Sequence, residues 1–553
     1  VDLASGKVIN SSDTANSSGG VDTIVDTAGN NVILGGSAGD FITTGADNDL
    51  IFGDHATVTY ADGINLSDIL STEVTDGGVD TITVSDGDNI VVGGQAGDVI
   101  NTGVNETTAA HDDIIAGDHI AATFAGSASL TRIESIDFAV GGNDNITAAN
   151  GNNLVIGGFG LDAITTGLGN DTVLGDNGSV DLSSGAVVTS TATENGAVVV
   201  ASGDVDTITD AAGNNVILGG TAGDFITTGA DNDIIFGDHA TVTYADGINL
   251  SDILSTEVTD GGVDTITVSD GDNIVVGGQA GDVINTGVNE TTAAHDDIIA
   301  GDHIAATFAG SASLTRIESI DFAVGGNDNI TAANGNNLVI GGFGLDAITT
   351  GLGNDTVLGD NGSVDLSSGA VVTSTATENG AVVVASGDVD TITDAAGNNV
   401  ILGGSVGDII KVNGATATSN DIVVGDHGVV TYLNGTDLTS VVSIETADGG
   451  DDDIDIIAGD NIVIGGAGVD SIDTGAGNDI LLGDNGSVDL ASGKVINSSD
   501  TANSSGDVDT IVDTAGNNVI LGGTAGDFIT TGADNDIVVG DHATVTYADG
   551  INL

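Results

Sequence analysis

The chain has 553 residues, with 88 Gly, no Pro, Cys, Met or Trp, and five Lys plus Arg against 83 Asp plus Glu, a formal charge of −78. Five basic residues against 83 acidic ones cannot neutralise a run of phosphates, which argues against nucleic acid as a partner; the lack of cysteine excludes disulfides and thiol chemistry, and no apolar run reaches the ~18 residues of a membrane span. Such an excess of carboxylates ordinarily means disorder, yet 40% of residues are apolar and Val, Ile and Leu recur in strict register; bound cations would resolve the conflict.

The first element, residues 19–55, reads GGVDTIVDTAGNNVILGGSAGDFITTGADNDLIFGDH. Asp22, Asn31, Asp40 and Asp49 fall nine residues apart, each followed after one residue by an aliphatic one, Ile24, Ile33, Ile42 and Ile51. This period predicts a strand of about three residues plus a Gly-rich turn, with two nonapeptides per coil of a flattened parallel solenoid. The linker that follows, ATVTYADGINLSDILSTEVTD, alternates over residues 56–60, turns at Asp62-Gly63 and returns over 64–70. It is expected to form a hairpin.

The block recurs nine times. Its first Asp stands at Asp22, Asp80, Asp144, Asp206, Asp264, Asp328, Asp390, Asp452 and Asp509. The second position is Asn31, Asn89, Asn153, Asn215, Asn273, Asn337, Asn399, Asn461 and Asn518. The third is Asp40, Asp98, Asp162, Asp224, Asp282, Asp346, Asp408, Asp470 and Asp527. The fourth is Asp49, Asp113, Asp171, Asp233, Asp297, Asp355, Asp421, Asp479 and Asp536, where the turn before Asp113, Asp297 and Asp421 accepts inserted residues. Each block closes on a Gly-Asp unit, at Asp54, Asp118, Asp176, Asp238, Asp302, Asp360, Asp426, Asp484 and Asp541.

The modules are then 22–79, 80–143, 144–205, 206–263, 264–327, 328–389, 390–451, 452–508 and an incomplete 509–553, after the end of a preceding linker at 1–21. Three modules make a longer repeat of 184 residues, within which 179–220 returns letter for letter as 363–404. The segment reads as a window cut from a longer tandem array. With no copy unique, a mechanical or multivalent role is favoured over catalysis. The third-module linker carries similar hairpin chemistry around Ser184-Gly185 and Asn195-Gly196.

In such a solenoid, Asp22 lies above Asp40 and Asn31 above Asp49, about 4.8 Å apart. Stacked carboxylates repel in a partly dry turn, and a hard cation between them reverses the sign. Gly-rich turns can supply backbone carbonyls to complete six to eight oxygens, an arrangement that suits calcium better than magnesium. Zinc is not expected without Cys or clustered His. All of the Asp positions above, together with Asn31, are therefore candidate calcium ligands.

The pattern resembles the RTX, or haemolysin-type, calcium-binding repeat GGxGxDxUx. Residues 157–165, GGFGLDAIT, and 465–473, GGAGVDSID, match every fixed position, and 166–174, TGLGNDTVL, misses only the first Gly. The resemblance covers the nine blocks and not the linkers. It implies a parallel β-roll with many calcium ions in its turns, type I secretion to the extracellular space or cell surface, and folding only where calcium is abundant. Two departures stand out: Ala38 replaces the fourth-position Gly, and every second nonapeptide has Asn for Asp. The Asn turns are expected to bind more weakly, or to share an ion with the following Asp and with a Gly-Asp unit such as Gly53-Asp54.

If the central Ile residues point inward, odd strands expose a mixed surface (Thr23 with Val25, Phe41 with Thr43). Even strands present apolar residues on both sides (Val32 with Leu34, Leu50 with Phe52). That face must be covered, either by the hairpins, placing Val58, Tyr60, Ile64 and Leu66 on it, or by another copy of the chain. Six His residues follow Gly-Asp (His55, His119, His239, His303, His427, His542), and Asn177, Asn361 and Asn485 take the same place elsewhere. Hydrogen bonding to a turn is expected of them rather than metal ligation. Ser and Thr show no His partner at a repeated spacing, so no hydrolytic triad is expected.

The fold expected is all-β: tandem parallel β-roll blocks with hairpin-like linkers, forming an elongated rod. The function expected is that of a calcium-stabilised extracellular structural repeat protein, an adhesin stalk, surface-layer or matrix fibre, and not an enzyme. Self-assembly into filaments remains open, with other copies of the chain and cell-surface or matrix components as partners. The alternatives are a ligand- or ice-binding solenoid, or the non-catalytic calcium-binding region of a larger secreted enzyme.

Overall fold

The computed structural model describes residues 7–13, 19–103, 111–126, 129–199, 203–287, 295–310, 313–383, 387–414, 419–491, 493–498 and 507–547. Among the described residues there is no helix, and so none long and apolar enough to cross a membrane. The chain divides into two compact units, Val1–Ser269 with Gly310–Ala312 and Asp270–Ala309 with Ser313–Leu553.

In the first unit, one parallel sheet runs from Thr23–Val25 through Phe41–Thr43, Thr81–Thr83, Val99–Asn101, Asn145–Thr147 and Ala163–Thr165 to Thr207–Thr209, Phe225–Thr227 and Thr265–Thr267. A second runs from Val32–Leu34 through Leu50–Phe52, Ile90–Val92, Ile114–Ala116 and Leu154–Ile156 to Thr172–Leu174, Val216–Leu218 and Ile234–Phe236. Ile24 pairs with Ile42 and Ile33 with Ile51, the stacking expected of two nonapeptides per coil. Inserted linkers do not disturb it, since Ile100 pairs directly with Ile146. The buried middle residue fixes this register: Ile42, Ile82, Ile100 and Ile146 are at most 1% exposed. Each contributes about 1.5–3 kcal/mol by burial, and a slip of one residue would turn all of them outward.

The linkers do form hairpins. Ala56–Tyr60 pairs antiparallel with Leu66–Ser71, and a bulge at Thr59/Tyr60 sets Val58 opposite Ile69. Val58, Leu66 and Ile69 are buried, whereas Ile64 sits in the turn, 81% exposed. Its expected place on the covered face is thus corrected by the bulge. Successive hairpins also pair with each other, Leu66–Ser71 with Ile120–Ala125, Ser129–Ser135 with Gly178–Asp181, and Ala186–Ser190 with Ala240–Tyr244. They form one antiparallel sheet that the sequence reading did not foresee. It lies over the second parallel sheet, where Phe52, Leu174, Leu218 and Phe236 are at most 1% exposed. The approach is close enough that a Cβ on Gly178 would stand 2.4 Å from Leu174 Cδ2. The chain's own hairpins therefore cover the apolar side. The first sheet keeps its mixed outer surface, with Phe41 54% exposed.

The second unit repeats the arrangement. Its parallel sheets run from Ile274–Val276 to Ile537–Val539 and from Val283–Asn285 to Phe528–Thr530, and its hairpin sheet runs from Ile304–Ala309 to Thr544–Tyr547.

Candidate metal centre

Each coil has two turns, and the two rows of turns differ. Along the first row every ladder position is Asp. The backbone N–H of one Asp donates to Oδ1 of the next, as from Asp22 to Asp40, Asp80 to Asp98, and Asp98 to Asp144, each 2.6 Å, and from Asp144 to Asp162, Asp162 to Asp206, and Asp206 to Asp224, each 2.7 Å. Asp40 bonds Asp80 and Asp224 bonds Asp264 in the same way. In the second unit the row passes Asp282, Asp328, Asp346, Asp390, Asp408, Asp452, Asp470, Asp509 and Asp527.

The other oxygen is left over. Oδ2 of Asp40, Asp80, Asp98, Asp144, Asp162, Asp206 and Asp224 is buried with no hydrogen-bond partner, and so is that of Asp346, Asp390, Asp408, Asp452, Asp470 and Asp509. It points into the Gly-rich turn. A Cβ built on Gly35 would meet Gly53 O at 2.1 Å and Asp40 Oδ2 at 2.5 Å; on Gly117 it would meet Asp144 Oδ2 at 2.0 Å and Gly157 O at 2.6 Å. The same pair of oxygens converges on Gly157, from Asp162 and Gly175, and on Gly465, from Asp470 and Gly483. Each turn is thus a cradle of hard oxygen donors with no nitrogen or sulfur, the donor set that calcium takes.

Electrostatics gives the same answer. Burial, and then the charge of neighbouring Asp residues, holds Asp98, Asp144 and Asp206 well above the usual carboxylate range, and burial pushes Asp80 and Asp162 up to about 7. A row of such carboxylates stays ionised only with a cation beside it.

The Gly-Asp units belong to this first row. Asp54 Oδ1 accepts from Gly78 N at 3.2 Å and Oδ2 from Gln95 N at 2.5 Å; Asp118 accepts from Gly142 N at 3.1 Å and Phe159 N at 2.5 Å. Asp176 takes the Thr221 N–H at 2.5 Å, and Asp238 and Asp302 each take a glycine N–H at 3.0 Å. Asp360, Asp426 and Asp484 accept from Ser405, Ala467 and Thr524. Burial, with the charges of Asp80 and Asp40 opposing ionisation, pushes Asp54 up to about 8. The expectation that Gly-Asp shares an ion with the Asn turns is corrected: the strand before Asp54 carries the chain across the roll to the all-Asp edge. Asp22 and Asp541 are exposed.

Along the second row Asn and Asp alternate, from Asn31 through Asp49, Asn89, Asp113, Asn153, Asp171 and Asn215 to Asp233. In the second unit it passes Asp297, Asp355, Asp421, Asp479 and Asp536. The Asn amide stands where an ion would. Asn153 Nδ2 donates to Gly151 O and to Asp171 Oδ1, both at 3.1 Å, and Asn215 Nδ2 to Gly213 O at 2.8 Å. A neutral amide thereby satisfies the turn carbonyl without a cation, although Oδ2 of Asp49, Asp171, Asp355, Asp421 and Asp479 remains unpartnered.

Two features escaped the sequence reading. Asp210 and Asp394, four residues after the opening Asp, reach the second row, where Thr166 and Thr350 donate to them at 2.7 Å. Their signal is an Asp four residues after the opening one, present also as Asp26 and Asp513, where the other five modules carry an apolar residue. The residue before each second-row position forms an exposed ladder, Asn48 N–H to Asn30 Oδ1 at 3.2 Å, then Asp88 to Asn48 at 3.1 Å, and on through Asn152, Asn170 and Asn214.

A further correction concerns Ser and His. Ser11, Ser190, Ser374 and Ser498 Oγ lie 2.6–2.8 Å from Nδ1 of His55, His239, His427 and His542. Pairing between successive hairpins brings them together, which no single-linker reading could show. Ser190 and Ser374 are 0% exposed, out of reach of any substrate.

The model of the RTX calcium-binding nonapeptide repeat, in four copies, matches residues 16–53, 74–105, 138–173, 200–238, 258–289, 322–357, 379–410, 457–488 and 504–541. No curated protein matches the chain.

Proposed function

We propose, for a chain that belongs to the RTX calcium-binding nonapeptide repeat family, that it is a structural spacer of a secreted protein, stiffened by calcium, in an adhesin, surface layer or extracellular matrix. One observation carries this reading. The same cradle, one Asp Oδ2 against one glycine carbonyl, recurs from coil to coil through Gly35, Gly53, Gly93 and Gly117 without a distinctive copy. Such a row stores no unique chemistry; filled, it removes repulsion along the whole stack at once. Type I secretion fits a chain that stays unfolded at low calcium and folds on meeting it outside. Attachment to other copies, or to cell-surface or matrix components, belongs to the same proposal.

The test is a calcium titration of chelator-stripped protein, following far-UV circular dichroism together with particle dimensions by electron microscopy. β-Structure that appears cooperatively with calcium and not with magnesium supports the spacer. A stripped chain already folded and indifferent to calcium defeats it.

The exposed ladder through Asn30, Asn48, Asn152 and Asn170 favours a second reading, a solenoid that binds a regular ligand surface, ice included. Thermal hysteresis of the calcium-loaded protein tests that reading, and a value equal to buffer removes it for ice.

A further inference from the structure

A second kind of side-chain cluster, apart from the calcium turns, lies where the hairpin sheet meets the end of a block. His239 is 1% exposed, and its Nδ1 lies 2.6 Å from Ser190 Oγ. If Nδ1 carries the proton and donates to Ser190, Nε2 is left with a bare lone pair. That Nε2 is buried with no hydrogen-bond partner, and the nearest charge is Glu257 Oε2 at 3.7 Å, too far for a hydrogen bond. Glu257 is itself held in place, accepting from Thr191 Oγ1 at 2.9 Å and Ala192 N at 2.5 Å. Its backbone sits at φ 51, a left-handed conformation, and a tight turn joins Asp260 N to Glu257 O at 2.9 Å, with the Asp260 charge acting on the same imidazole.

The arrangement recurs. His427 Nδ1 lies 2.8 Å from Ser374 Oγ, and Nε2 faces Glu445 Oε2 at 3.8 Å, Asp448 Oδ2 at 3.9 Å and Ser405 Oγ at 3.1 Å. Ligand atoms of His427, Glu445 and Asp448 all lie within 4.8 Å of one another, as do those of Asp13, His55 and Asp76. His55 Nε2 in turn faces Glu73 Oε2 at 3.6 Å. Two donors bound to one tetrahedral zinc ion at 2.0–2.2 Å stand roughly 3.4 Å apart. The gaps in these clusters are therefore those of an ion's ligands drawn slightly open.

We propose that His239 with Glu257 and Asp260, His427 with Glu445 and Asp448, and His55 with Asp13 and Asp76 are sites for a borderline divalent metal of the zinc class. The ion ties the hairpin sheet to the end of the block. Imidazole nitrogen with two carboxylates selects such an ion over calcium, which prefers all-oxygen cages. A metal-bound imidazole usually donates its far ring N–H to a carboxylate, a carbonyl or water, and here a serine hydroxyl takes that place. The spacing His-x17-Glu-x2-Asp writes the site in the sequence. His119 and His303 are built-in controls, since Asp137 and Asp321 take the Glu place and Val140 and Val324 the Asp place.

The proposal rests on the hairpin sheet and not on the calcium rows, so the experiment holds calcium saturating. Calcium-loaded full chain is titrated with zinc by calorimetry, alongside Asp260→Asn/Asp448→Asn and His239→Gln/His427→Gln. Far-UV circular dichroism in calcium confirms that each is folded. The Asn pair changes groups at the cluster's outer side, Asp448 being 40% exposed, and so stays interpretable if the His variant fails to fold. Surface pairs such as His111 with Asp88 at 3.3 Å are unchanged throughout and set the background. The expected result is tight zinc uptake that falls by two equivalents in the variants, with X-ray absorption showing one imidazole and otherwise oxygen at zinc. Uptake equal in wild type and the Asn variant, or no uptake above background, overturns the proposal and leaves the clusters as imidazole–carboxylate ion pairs. The calcium titration would stand in either case.

Discussion

The backbone N–H of Asp144 donates to Oδ1 of Asp162 at 2.7 Å, and Oδ2 of the same Asp162, buried, meets no donor at all. One carboxylate thus does two jobs: its first oxygen fixes the height of the next coil, and its second waits for a cation beside Gly175 O. Stacking and ion binding are joined through a single side chain, so neither is complete without the other.

The first consequence is an inverted pH dependence without calcium. Burial pushes Asp80, Asp162, Asp346 and Asp470 up to about 7 from the ordinary carboxylate value of 3.8. The folded state then binds more protons than the unfolded one between those limits. Its contribution to stability is fully present below about pH 3.8 and is lost as pH rises towards about 7. In chelator, β-structure read by far-UV circular dichroism should be greatest near pH 4 and be lost as pH rises to 7.5, whereas in saturating calcium it should persist. Chelated β-structure that increases across this window would show that these carboxylates are not buried as described.

Glycine in the cradle should be irreplaceable. At Gly157 a Cβ would stand 2.1 Å from Gly175 O and 2.5 Å from Asp162 Oδ2, occupying the space of the ion, while at Gly20 it would meet nothing within 4 Å. Gly157→Ala is expected to lower calcium stoichiometry by at least one ion and to raise the calcium midpoint of folding. Gly20→Ala should do neither. Equal effects from the two would mean that the cradle is not the binding site.

Much of this was readable from the period alone. Asp and Ile at fixed places in a nonapeptide dictate strand, turn and stacking, because a three-residue strand has one inward side chain and a turn has one capping group. The hairpin sheet was not readable. Leu66–Ser71 bonds Ile120–Ala125 about fifty residues on, and alternation within a linker states that strands form but not which neighbour they join. The edge on which Asp54 lies was misjudged for a related reason: Gly-Asp follows an even strand, and only counting strand crossings places it beside Asp40 and Asp80. The Ser190–His239 contact depends on that same pairing between modules.

Turning an Asn of the second row into Asp should add a calcium site and sharpen calcium dependence. Asn153 Nδ2 now satisfies Gly151 O and Asp171 Oδ1. In Asn153→Asp both lose their donor and a charge is added, so with no ion in that turn the fold should be weakened by about 1–3 kcal/mol. With calcium present, the new carboxylate and the Oδ2 of Asp171 complete an oxygen cage like that of the first row. Isothermal titration should then count one more ion than in wild type. An unchanged count would mean that the second row lacks the geometry for calcium and that its Asn residues are structural only.

Relief of strain at the fourth-position turn offers a gain in stability. Ala38, Ala96, Ala222 and Val406 all adopt positive φ, at 71, 72, 66 and 68, where Gly160 and Gly468 stand in the better-matched nonapeptides. A left-handed backbone costs an L-residue roughly 1–2 kcal/mol, and a β-branched side chain such as that of Val406 is the least suited to it. Glycine there costs about 0.5–1 kcal/mol in added freedom of the unfolded chain. Val406 is 40% exposed, so little burial is forfeited. Val406→Gly should therefore stabilise the calcium-loaded protein by up to about 1 kcal/mol, with a smaller gain for Ala222→Gly, read from denaturant midpoints at fixed calcium. A destabilised Val406→Gly would mean that the turn is held by side-chain packing and not merely tolerated against its backbone preference.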